Sequence, residues 1–132
     1  MHWATIGRPA PEMAKAAQVC RRVLEAVVDA MRPGITAEGV DAVARDVLEK
    51  SGFSALRKRT GYCVGFAFAG GWNEGHIISL VQGDRTVLEP GMAFHMPISW
   101  REYGQWGVGV SSTVVITSSG ARVLTRVEDD AA

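Results

Sequence analysis

"LEPGMAFHMPI", Leu88 to Ile98, splits into a turn and a strand. Pro90-Gly91 turns the chain. From Met92 onward, Phe94 and Met96 point one way and His95 the other, because successive strand residues alternate faces. If the first pair lies in the core, His95 stands on the opposite surface. Downstream, Gly107 to Thr117 reads as the next strand, with Val108, Val110, Val114 and Ile116 sharing a face. Ser118-Ser119-Gly120 turns into a last short strand, Arg122 to Val127, and residues 128–132 read as a frayed tail.

Upstream, Tyr62 to Phe68 reads as a strand. Glycines 70 and 71 then open a loop carrying Trp72, Asn73, Glu74, Gly75 and His76. Ile77 to Val81 can be extended, followed by a turn at "QGDR". Before Gly52 the period is helical. Pro11 suits a first turn, where its missing N–H costs nothing, and Glu12 complements the positive helix end. Cys20, Leu24, Val27, Val28 and Met31 recur on one face until Pro33-Gly34 stops the helix. Thr36 caps a second helix with the stripe Val40, Val43, Ala44, Val47 and Leu48, and Gly52 ends it in the left-handed conformation. Two helices (11–52) followed by antiparallel strands (60–127) predict an α+β layer in one domain.

Composition excludes several classes. The chain has 132 residues, with 14 basic side chains against 14 acidic ones, so no electrostatic footprint points to nucleic acid or an anionic membrane. Its hydrophobic share of 47% supports a buried core rather than disorder. Charges interrupt every apolar run before it reaches bilayer length. The start, "MHWATIGRPAPEM", lacks the features of a signal peptide. Cys20 and Cys63 fit no zinc or disulfide spacing, and reduced thiols in a cytoplasmic protein are expected.

The ordered blocks "AMRPGITAEGVDAVARDVLEKSGF", "RTGYCVGF", "TVLEPGMAFHM" and "GVGVSSTVVITSSGARVLT" resemble the second half of the pita-bread fold. That is the fold of the Xaa-Pro aminopeptidase, creatinase and methionine aminopeptidase superfamily, the M24 peptidases. The likeness runs from about Ile6 to Thr125, and residues 1–10 resemble the end of a preceding strand. The fold it implies is half a pita-bread: two helices on a curved antiparallel sheet whose concave face, on the His95 side, holds the active site. Metal enzymes of the superfamily bind two divalent ions through two aspartates, a histidine and two glutamates. Aligned on that pattern, Tyr62 stands at the histidine position, Pro97 at one glutamate, and Ser111-Ser112 where glutamate and aspartate precede "TV". Both aspartates belong to a strand upstream of this chain. Hard divalent ions need several oxygens converging at about 2.0–2.2 Å. A conventional dinuclear site is therefore not expected, and no cofactor is. Creatinase keeps the fold without metal. The ectoine-hydrolase-like branch shares "RTGY", the "WxEGH" loop and "GMxFHM", here Arg59–Tyr62, Trp72–His76 and Gly91–Met96; it carries an acid where Ser112 stands. Enzymes of that branch open amide or amidine C–N bonds in small zwitterionic solutes.

Each candidate has two readings. His76 is a general acid or base, with Glu74 orienting it or binding a substrate ammonium; or both are solvated loop residues. His95 is a proton carrier on the concave face, or a histidine bonded to a backbone carbonyl. Tyr62 hydrogen-bonds substrate or merely packs. Arg59 forks onto a carboxylate or is one charge of a solvated "RKR". Trp72 and Trp106 wall a pocket, or Trp106 is structural. Cys63 is expected to be buried and inert. Ser111 and Ser112 lack a nucleophile elbow. One metal held by His76 and His95 alone would be a weak site.

The resemblance thus implies the carboxy-terminal half of a truncated or degenerate, metal-independent hydrolase acting on a small polar amide or amino-acid-like substrate. The chain alone is expected to be inactive unless a complementary amino-terminal half completes it. The rival expectation is a binding or assembly module: a half fold exposes surface that a second copy would cover, giving a homodimer.

Overall fold

The computed structural model describes residues 3–53, 58–65 and 77–125. Two helices, α1 (Pro11–Ala30) and α2 (Ala37–Lys50), precede five strands: β1 (Gly61–Cys63), β2 (Ser79–Leu80), β3 (Ala93–Glu102), β4 (Trp106–Thr117) and β5 (Gly120–Val123). They form one sheet in the order β2-β1-β3-β4-β5, antiparallel throughout.

Local chemistry explains the helix ends. Pro11 opens α1. The helix stops at Ala30, before the expected Pro33-Gly34 pair, and the Met31 N–H reaches back to Val27 and Val28 carbonyls. A residue preceding proline disfavours the helical region, so the break is felt upstream of the ring. Thr36 caps α2, its hydroxyl accepting from the Gly39 N–H at 3.1 Å. The Ala37 and Glu38 N–H groups donate to the Thr86 and Asp84 carbonyls at 2.9 and 2.8 Å. Donors left over at a helix start are thereby satisfied by the segment leading into β3, which ties helices to sheet. Gly52 ends α2 at φ +78°, as its position predicts.

One face of the sheet packs on the helices. Phe94, Met96 and Ile98 from β3 and Val110, Val114 and Ile116 from β4 are buried with Val19, Val23 and Val27 of α1, Met31 just after it, and Val40 and Ala44 of α2. At ~25 cal/mol per Å² of apolar surface, this layer is the main stabilising term. Cys63 and Cys20 are both buried, as expected for Cys63.

Strand limits differ from the sequence expectation. β1 covers three residues, with Val64 extending its ladder to β3 by one more bond, and the remainder of the expected strand (66–68) lies outside the described residues. β3 continues past Ile98 to Glu102 because the β3–β4 hairpin pairs ten residues in register. β5 begins at Gly120, since Thr117 pairs directly with it across a tight Ser118-Ser119 turn.

Candidate functional site

The side of the sheet away from the helices collects the polar residues. Alternation puts His95, Pro97 and Ser99 there while their neighbours enter the core, as the β3 pattern predicts. Cross-strand register then decides what each one meets. Tyr62 on β1 lies opposite His95, and Thr113 on β4 lies opposite it on the other side. Pro97 faces Ser111. Tyr62, Pro97 and Ser111, the three positions where the resemblance places metal ligands, therefore share one face within two residue pairs of His95.

The contacts are close. His95 Nδ1 is 2.9 Å from Thr113 Oγ1, the tautomer deciding which donates. The Tyr62 and His95 rings are 5.7 Å apart and tilted by 48°. The Arg59 guanidinium lies 4.8 Å from the Tyr62 ring centroid, and its Nη1 donates to Ser79 Oγ at 3.2 Å. Ser79 is the cross-strand partner of Tyr62 on β2, so four strands contribute to the cluster. Burial pushes the His95 imidazole below its ordinary pKa, which keeps it neutral near pH 7. Burial also raises the Tyr62 phenol, with Arg59 opposing, so the hydroxyl stays protonated as a donor.

Two interactions hold this array in place. Gly61 lets β1 approach β3: a Cβ there would come 2.7 Å from the His95 carbonyl oxygen. Thr60 Oγ1 donates to Asp41 Oδ1 at 2.6 Å, and Arg45 Nε reaches Asp41 Oδ2 at 2.6 Å. Asp41 is 1% exposed, so this buried charge is fully engaged from two sides. The pin fixes the residue between Arg59 and the Tyr62 strand. Sequence reading missed Asp41; only its place on the apolar side of α2 distinguishes it from an ordinary helix acid.

The other predicted residues separate. Trp106 pairs with Glu102 at the hairpin end, on the helix-facing side, and packs against the core. Glu102 is seven residue steps along β3 from His95, about 23 Å of extended chain. Ser112 lies opposite Met96, on the helix-facing side, where it lines a groove of about 400 Å³ with Arg21, Glu25 and Asp29 of α1. An acid at that position would meet α1 rather than His95, so the Ser112 side chain is remote from the cluster. Trp72, Glu74 and His76 lie outside the described residues.

Among the described residues, the side chains at the three metal-ligand positions do not fit a pair of divalent ions. These positions supply a protonated phenol, a pyrrolidine ring with no donor atom and a hydroxyl, with no carboxylate. Among the described residues no three histidine, cysteine or acidic side chains gather as a metal site. Among the described residues, no helix is long and apolar enough to cross a membrane.

Comparison with known proteins agrees with this architecture. The sequence pattern of metallopeptidase family M24 matches residues 2–118. The probable dipeptidase PepE of Mycobacterium tuberculosis is 36% identical over 118 residues, covering 89% of this chain and 30% of the relative. The ectoine hydrolase of Halomonas elongata is 32% identical over 120 residues, covering 90% of this chain and 29% of the relative. The crystal structure of dipeptidase PepE from Mycobacterium ulcerans superposes with a TM-score of 0.83 at 35% identity, covering 93% of this chain and 32% of that one. The chain thus spans about 30% of the length of the curated relatives it matches.

Proposed function

Because this chain belongs to metallopeptidase family M24 and carries part of its pita-bread fold, we propose that it is half of a hydrolase site whose metal ligands have been replaced. The reaction is hydrolysis of an amide or related C–N bond in a small amino-acid-like solute, without a metal. The observation carrying this reading is the Tyr62–His95–Thr113 contact set, built where the resemblance places metal ligands.

His95 is the proton carrier. As water adds to the substrate carbonyl, a C–O bond forms and the neutral imidazole takes the water proton. The imidazolium then returns it to the departing nitrogen as the C–N bond breaks. Tyr62 donates a hydrogen bond to the oxygen on which charge develops. His76 and Glu74 belong to the same proposal as a second acid–base pair. The complementary half of the fold supplies the remaining wall, in the cytoplasm, where Cys20 and Cys63 remain thiols.

The test is hydrolysis of a Xaa-Pro dipeptide and of ectoine by the 132-residue chain, alone and with an M24 amino-terminal half, in chelator and in manganese. Turnover that needs the added half, survives chelator and falls at least about a hundredfold in His95→Ala is expected. Turnover restored only by manganese would overturn the reading.

A second reading, a homodimer that imitates the full fold, is favoured by exposed apolar side chains near both edges of the sheet. Ile77 before β2 is 60% exposed and Leu124 after β5 is 52% exposed.

A further inference from the structure

His95 and Thr113 are cross-strand partners, so both side chains leave the sheet on the face away from the helices. Thr113 is anchored from both sides. Toward β3, its Oγ1 is 2.9 Å from His95 Nδ1. On the β5 side, its N–H donates to Thr125 Oγ1 at 2.9 Å and its carbonyl accepts from the Leu124 N–H at 2.8 Å. A threonine side chain is stiff about χ1, so a fixed backbone fixes the hydroxyl. Ten paired residues set the β3–β4 register, and a slip by one would carry Thr113 to the helix side.

The hydrogen bond at one ring nitrogen decides where a neutral imidazole carries its proton. A hydroxyl can accept from an Nδ1–H group or donate to a bare Nδ1. Only the first arrangement puts the basic lone pair on Nε2, on the side of the ring away from Thr113. It also survives the proton cycle, because Nδ1–H donates to the same oxygen whether Nε2 is bare or protonated. In the opposite tautomer Nε2 already holds its proton, and a proton taken up at Nδ1 would force the hydroxyl to turn. We infer that Thr113 is a positioning residue that holds His95 as the Nδ1–H tautomer, making Nε2 the atom that takes the water proton and returns it to the departing nitrogen. The inference rests on His95 being the proton carrier of the proposed hydrolysis. Unlike a carboxylate in the same place, the hydroxyl orients the ring without adding a charge beside it.

Long-range nitrogen–proton NMR correlation on the histidine-labelled 132-residue chain, at a pH where the ring is neutral, tests this, with His95→Gln assigning the signal. The Nδ1–H form is expected to dominate in the parent. Its ratio to the Nε2–H form is expected to fall about fivefold in Thr113→Val, the weight of one ordinary hydrogen bond, and to recover in Thr113→Ser. Unchanged Val19 and Val40 methyl signals would show that both variants stay folded; if Thr113→Val does not fold, the parent spectrum alone decides. In the chain completed by an M24 amino-terminal half, Thr113→Val is expected to lower kcat about tenfold with KM unchanged. A parent ring in the Nε2–H form, or a ratio indifferent to Thr113→Val, overturns the assignment, and His95 stays the proton carrier if turnover still falls in His95→Ala. A change confined to KM also overturns the positioning role. Absence of turnover from the completed parent, with the Nδ1–H form present, overturns the proposed function but not the control of the tautomer by Thr113.

Discussion

An imidazole held between a phenol ring and a threonine hydroxyl is the centre of the proposed site. Its setting has a measurable consequence. Burial lowers the folded-state pKa of His95, so the unfolded chain binds the proton more readily than the folded one. The resulting stability is fully present above the unfolded value of about 6.5 and is lost as pH falls through the lower folded value. His95→Gln should therefore flatten the loss of stability between about pH 7.5 and pH 5 seen in urea unfolding of the parent chain; parallel curves would contradict the assignment. Thr60 makes a second prediction at this scale. Thr60→Val removes a donor from the buried Asp41 carboxylate and should destabilise by about 1–3 kcal/mol, with Thr60→Ser recovering most of it. Alternation alone placed His95 away from the core. Nothing local, however, marked Thr113 or Asp41 as partners, because each lies 18 or 19 residues from the group it touches.

At the scale of elements, the helices were legible because they carry their own punctuation. Pro11, Thr36 and Gly52 sit where capping chemistry requires them, and the 3.6-residue apolar stripe does the rest. Strand existence was legible too, but strand ends were not. Ser99 to Glu102 show no alternating apolar signal, yet they are strand because β4 pairs with them. Gly61 is the element-scale constraint on the site. Gly61→Ala would press a Cβ on the His95 carbonyl, a backbone atom that cannot rotate away, with Leu80 and Met96 at 3.0 and 3.1 Å. A loss of about 1–3 kcal/mol is expected, together with loss of ring-to-ring NOEs between Tyr62 and His95. A fully stable variant retaining those NOEs would show that β1 has more room than the geometry allows.

For the molecule as a whole, the open sheet is the dominant fact. Its edge strands β2 and β5 have two and four residues, and Val123 and Leu124 leave apolar surface in solvent. If a second copy covers that surface, sedimentation should give twice the 14.2 kDa chain mass, and Leu124→Glu should shift it toward monomer. A parent chain that sediments as monomer at all concentrations would remove the dimer reading. The sequence by itself determined the order of helices and strands, the glycine and proline breaks, and which side of each strand is apolar, since these depend on neighbours within a turn or a pleat. Only the tertiary structure decided that Tyr62, His95 and Thr113 meet, that Ser112 turns toward α1, and that Trp106 stands far from the cluster. Those outcomes depend on strand register and on which face the helices cover, and both are set by contacts between residues far apart in the chain.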